Sequence, residues 1–155
     1  MAANLTELVI SSFISELEGL RDAVNQVAQP LTQDELWKKP LEQSNSIGHL
    51  ILHLTGNLNY FVGAQLGKSG YVRDREREFS ETNVPSKDTV LKNLCDAVAT
   101  FRRVVSGLTD EQLAAPFPDD RFGPVLSALL HWVSHFALHR GQMSYIARLV
   151  QGSTK

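Results

Sequence analysis

His131-Trp132-Val133-Ser134-His135-Phe136-Ala137-Leu138-His139-Arg140-Gly141-Gln142 sets three histidines at successive four-residue steps inside an apolar segment with no carboxylate. Residues four apart lie one turn apart on one face of a helix, so the spacing predicts a helix with imidazoles stacked along one side. The two remaining histidines, His49 and His53, repeat the step in a second segment that also reads as helix. Paired histidines at i and i+4 are one way for a helix to offer two imidazoles to a single metal ion. A lone helical histidine is most often a packed or solvated side chain. Five confined to two such sets point to a metal instead.

Working outward, Pro124 suits the first position of this last helix, which runs to about Gln151 with Gly152 past its end. At the other terminus, Leu5, Leu8, Val9, Phe13, Leu17, Leu20 and Val24 have the 3,4 spacing of an amphipathic helix that Pro30 stops. Thr32-x-x-Glu35 is a capping box for a short turn ending before Pro40. A second long helix starts near Ser46 and runs through Leu50, Ile51, Leu54, Leu58, Phe61 and Val62 to a glycine stop at Gly67. Gly56 inside it either weakens the helix or marks the close approach of a neighbouring helix.

Residues 68–85, KSGYVRDREREFSETNVP, keep no period and form a connection long enough to suggest a functional role. Its run Arg73–Glu78 alternates in sign and reads as a solvated loop or helix end. Ser86-Lys87-Asp88 opens the third long helix, with Val90, Leu91, Leu94, Val98, Phe101 and Val105 on one face and Cys95 among them as a core thiol. Leu108–Leu113 then echoes Leu31–Leu36, so each half reads as long helix, capped turn, proline-bearing link and histidine-bearing helix, the pattern an internal duplication leaves. Four long helices without a credible strand run give an all-α four-helix bundle, one domain over residues 1–155.

At 155 residues and 43% hydrophobic content, the chain can bury one good core. A formal net charge of −2 offers no basic face to nucleic acid. One cysteine excludes an intrachain disulfide framework and fits a reducing compartment. The N-terminus lacks the basic start and apolar core of a signal peptide, and no run approaches the ~18 apolar residues of a membrane helix. These features predict a soluble cytoplasmic protein.

Placing residues at 100° steps puts His53 at the edge of its helix's apolar stripe beside Leu50 and Asn57, and His49 about 40° further out, where a solvated imidazole is expected. In the last helix the apolar arc runs through Leu129, Trp132, Phe136, Met143 and Ile146, with His139 at its middle and His135 about 40° to one side. His131 lies at the margin and roughly 12 Å along the axis from His139, too far to share an ion. This selects His53, His135 and His139 as ligands, with Asn57 and Gln142 as candidates to line the pocket or support the imidazoles. A second apolar line, Leu126, Leu130, Val133 and Ala137, lies opposite the arc. Either a homodimer or one of the connections 68–85 and 115–123 must cover it.

Ser46-Ile47-Gly48-x-Leu50-x-x-His53-Leu54 and His135-x-x-x-His139-Arg140-Gly141-Gln142 resemble the two signature segments of the DinB/YfiT-like superfamily, and the helix order matches end to end. The resemblance implies an up-down-down-up bundle and a divalent metal, zinc or nickel, held by one histidine of the second helix and two of the last, at His53, His135 and His139. Many members double the histidine before Arg-Gly-Gln. Here that position is Leu138, off the inward arc. The superfamily includes bacterial low-molecular-weight-thiol S-transferases, a mycothiol-dependent isomerase and members described as metal-dependent hydrolases.

Neither histidine-bearing helix contains Asp or Glu, so a carboxylate base must come from elsewhere. Metal-assisted hydrolysis usually wants that base, whereas a thiol that coordinates a divalent ion loses its proton outright. The expectation is a metal-dependent transferase using a small bacterial thiol on a small-molecule acceptor. A metal-dependent hydrolase and a non-catalytic metal or small-molecule binding bundle are the alternatives.

Overall fold

The computed structural model describes residues 4–152. Asn4 opens α1 (Leu5–Ala28) with a reciprocal cap, its side chain accepting the Glu7 N–H while the Glu7 carboxylate accepts its own. Thr32 and Thr109 cap two five-residue helices, α2 (Gln33–Trp37) and α6 (Asp110–Ala114), in the same way. The echo between Leu31–Leu36 and Leu108–Leu113 is therefore one capped turn used twice. Ser46 caps α3 (Ile47–Leu58) and Ser86 caps α5 (Lys87–Val105), with the short α4 (Arg77–Ser80) between them. The last helix, α7 (Val125–Gly152), takes Gly152 into its final turn, and Pro124 precedes it, its carbonyl accepting the Ala128 N–H at 3.0 Å.

Two features of the second long helix differ from expectation. Asn59–Leu66 continues α3 as a π-helix, and the Gly67 N–H bonds back five residues to the Val62 carbonyl at 2.9 Å. So short a stretch of apolar residues does not distinguish the wider turn, which occurs mostly near functional sites. Gly67 is also not a left-handed stop: its φ is −87°, and Lys68 takes the positive value of 55°. Glycine is needed at 67 for closeness, since a Cβ there would stand 2.7 Å from Val104 and 2.8 Å from the Gly63 carbonyl.

Side-chain contacts fix the helix directions. Glu18 pairs with Arg102 and Asn25 meets Cys95, so α1 and α5 are antiparallel. Gly63 faces Thr100 and Gly67 faces Val104, so the second long helix runs parallel to α5. Phe61 stacks on Trp132 while Leu50 shares a groove with Ile146, so it opposes α7. The result is up-down-down-up, and the parallel step from α3 to α5 is what the long connection provides. Among the described residues the only β pairing is an isolated bridge between Pro116 and Pro124, and no helix is long and apolar enough to cross a membrane.

One end of the core is aromatic, with Phe61 stacked 5.3 Å from Trp132 and Phe117 edge-on to Trp132 at 4.9 Å. The core wraps α3 far more completely than α7. Ten of the twelve residues of α3 are buried, because α2 covers one flank through Trp37 and α4 another through Glu78. Of the 28 residues of α7, ten are buried, and all of them but Val133 share one side. On the opposite side Leu126, Leu130 and Ala137 are exposed and Val133 is buried, so neither connection covers that line.

Candidate metal centre

Facing positions on α3 and α7 bring His53, His135 and His139 together. The Nε2 atoms of His53 and His135 are 3.1 Å apart and those of His135 and His139 are 3.0 Å apart, and all three candidate donor atoms lie within 4.8 Å of one another. The rings meet edge to face, His135 on His139 at 89° and His53 on His139 at 85°. No Asp, Glu or Cys joins the group among the described residues.

Two imidazoles are held from behind. His53 is 6% exposed, and its Nδ1–H donates to Glu78 Oε2 at 2.9 Å. A carboxylate can only accept, so this bond puts the proton on Nδ1 and leaves the Nε2 lone pair free. Arg73 clamps the same carboxylate with Nε at 2.7 Å and Nη2 at 2.9 Å. His139 donates through Nδ1 to Gln142 Oε1 at 2.7 Å, which frees its Nε2 likewise. His135 Nδ1 is buried without a hydrogen-bond partner. Burial, then the neighbouring His139 and His53 imidazoles, push the His135 pKa down to about 3, and burial chiefly lowers that of His139. For Glu78 burial acts to raise the pKa, but the hydrogen bonds from His53 and Arg73 and the guanidinium charge outweigh it and hold the group below the usual carboxylate range.

These donors fit a divalent ion. His53 and His139 both turn lone pairs toward His135 Nε2, which can carry at most one proton and donate it to one of them. The remaining nitrogen pair would confront lone pair with lone pair or with a misdirected N–H. A cation shared by all three removes that conflict. Nitrogens bound to one ion at ~2.0–2.1 Å stand roughly 2.9–3.4 Å apart for angles of about 90–109°, a range that includes both short separations.

Asp74, Arg75, Glu76 and Arg77 are exposed where the chain enters α4, as the alternating signs suggest, but the two ends of the run Arg73–Glu78 turn inward. Glu78 is 7% exposed and Arg73 is pulled in with it, because a buried imidazole and a buried carboxylate need each other and the guanidinium balances the charge. Gly56 was the available signal: a Cβ there would collide with the Glu78 carboxylate, so the close approach read at this glycine is made by α4.

His49, expected to be solvated, is buried under Trp37. It accepts from Ser46 Oγ–H at 2.7 Å and donates to the Glu81 carbonyl at 3.1 Å. His131 is exposed against Phe122 and lies outside the group. Asn57 is buried one turn from His53 and bonds none of the three imidazoles. Cys95 is half-buried beside Asn25. A groove of about 500 Å³ lies on the far side of Glu78, lined by Thr55, Asn59, Tyr71 and Asn93, and none of the three histidines lines it.

The sequence model of the DinB superfamily matches residues 16–143. No curated protein matches the chain. Several solved structures share its fold, three of them as follows. A conserved protein from Enterococcus faecalis superposes with a TM-score of 0.76 at 17% identity, covering 97% of this chain and 99% of that one. YfiT from Bacillus subtilis, described as a probable metal-dependent hydrolase with an unusual four-helix bundle topology, gives 0.73 at 16% identity over 96% of this chain and 91% of that one. A DinB-like protein from Bacillus cereus gives 0.68 at 19% identity over 89% and 90%.

Proposed function

The chain belongs to the DinB superfamily, and from that premise we propose that it binds a divalent ion, zinc or nickel, on His53, His135 and His139 and transfers a small bacterial thiol to an electrophilic acceptor. When bound, the ion would supply Lewis acidity that draws the proton from a thiol or a water. The observation that carries the thiol reading is the position of Glu78. This carboxylate is held by His53 Nδ1 and Arg73, on the side of the imidazole away from the converging Nε2 atoms, where it orients a ligand and is not free to take a proton from water. Gln142 orients His139 in the same manner.

Hydrolysis is the second reading. The description of YfiT as a probable metal-dependent hydrolase favours it, and zinc-bound water can reach a pKa near 7 without a neighbouring base.

The test gives protein purified without a nickel column, and then loaded with metal, a monohalobimane and a panel of low-molecular-weight thiols. Conjugation with at least one thiol, abolished in His139→Ala, is expected. Ester or amide turnover that needs metal and no thiol would put the hydrolase first, and absence of both would leave a metal-binding bundle without catalysis.

A further inference from the structure

We propose that Arg75 binds the anionic end of the substrate, so that the small molecule meeting the three histidines is an acid whose carboxylate lies a few bonds from its reacting group. This rests on the metal reading above and is the same for thiol transfer and for hydrolysis.

The segment leading into α4 carries two arginines with opposite fates. The Arg73 side chain is only 9% exposed and gives Nε and Nη2 to the Glu78 carboxylate, so its charge is balanced within the protein. Arg75, in the turn just before α4, is exposed and forms no hydrogen bond or ion pair among the described residues. Its two sequence neighbours are both acidic, yet neither pairs with it. Asp74 accepts the Arg77 N–H, and the Arg77 side chain is taken by Glu81. Arg75 lies instead over Phe79, its guanidinium carbon 5.5 Å from the ring centre. Such a contact uses the cation's charge and none of its five N–H donors, whose planar fork matches a carboxylate in bidentate fashion.

Phe79 ties this unspent cation to the candidate centre. Its ring lies 4.8 Å from the ring of His53 on the α4 side, while His135 and His139 meet His53 at 5.0 Å from α7. The Arg75 guanidinium is therefore no more than about 10 Å from the His53 ring. A hydrogen-bonded carboxylate fills part of that distance and leaves room for a chain of a few atoms. Phe79 is half-buried, so one part of it covers His53 and the rest forms an apolar floor beneath Arg75.

The other charges leave this role to Arg75. Arg21, Arg77, Arg102 and Arg121 are ion-paired like Arg73. Arg103 lines a groove beside Thr100 on α5, and Arg140, although it follows His139, is exposed and stands over no ring among the described residues. Carboxylates do not compete for the same ligand. Neither histidine-bearing helix contains one, and Glu78 stands behind His53 with Arg73 balancing it. Three neutral imidazoles leave a bound divalent ion its full charge, so an acid is drawn at both of its ends.

The test titrates the nickel-loaded chain with 4-mercaptobutyrate and, separately, with the uncharged 4-mercaptobutanol, following the thiolate-to-nickel absorption, which reads binding without turnover. The acid should bind about tenfold tighter. Arg75→Gln should bring the two thiols to nearly equal affinity, and Arg75→Lys should keep most of the difference. Both variants should hold as much nickel by elemental analysis as the unaltered chain. Arg103→Gln removes an exposed charge of the same kind elsewhere and should change nothing, which separates a contact at Arg75 from an effect of net charge. No coordination of the acid, equal affinity for the two thiols in the unaltered chain, or a preference that survives Arg75→Gln would each overturn the proposal and leave the metal reading standing. Failure of the unaltered chain to hold nickel would overturn both.

Discussion

α3 and α7 both carry histidines four residues apart, and the two pairs are used differently. On α7, His135 and His139 face the same neighbour and converge. On α3 the pair divides: His53 reaches across to His135, while His49 is held beneath α2 by Ser46 and by the Glu81 carbonyl. The cause is how each helix is covered. With ten of twelve residues buried, α3 has almost no solvent side, so an imidazole at any angle needs a partner within the protein. With ten of 28 buried, α7 has an open side, and its surplus histidine, His131, stays on the surface. The i, i+4 spacing nominates ligands, and the surrounding elements choose among them.

The sharpest way to break this comparison is metal content. His53→Ala and His135→Ala should each take the bound metal from near one per chain to near zero by elemental analysis, while His49→Ala and His131→Ala should leave it unchanged. Loss of metal in His49→Ala would mean that the division of the α3 pair is misread.

The next effect is acid sensitivity of the metal-free protein. His135 has a folded pKa of about 3 against 6.5 for the free group. Because the folded value is the lower one, the unfolded chain binds the proton first, and stability is lost as pH falls from about 6.5 toward 3. One such proton gives a slope of up to ~1.4 kcal/mol per pH unit. Glu78, also lowered, acts in the same direction at more acid pH. Urea unfolding across this range should show the slope, and His135→Leu should flatten its upper part. An unchanged profile in that variant would remove the assignment.

Support from behind the ligands separates the helices further. Glu78→Gln should weaken metal binding by roughly 10–100-fold, read by competition with a chromophoric chelator, and His53 is the ligand that loses its anchor. If affinity is unchanged, the carboxylate serves the fold alone.

The smallest expected effect tests how tightly α3 is enclosed. Gly56→Ala puts a methyl group into the Glu78 carboxylate and should cost about 1–3 kcal/mol of stability, with a loss of metal affinity in the same direction as Glu78→Gln. Chemical denaturation and the chelator titration read both, and a neutral result would mean that α4 is not pressed against α3.

The sequence by itself determined the four long helices, their caps and the histidines that face inward, because those depend on local spacing: 3.6 residues per turn decides which side chains share a face, and Asn4, Thr32, Ser46 and Thr109 satisfy nearby backbone N–H groups whatever lies beyond them. Gln142 was legible for the same reason, being one turn from His139. Tertiary structure alone decided the roles of Glu78, Arg73 and His49. Glu78 lies 25 residues from His53 along the chain in a segment without periodicity, and its charge reads as solvated until the connection folds across Gly56 and removes the water. An ion pair forms there because burial leaves the charges no other partner, a condition set by which elements enclose α3 and not by the residues adjoining Glu78 in sequence.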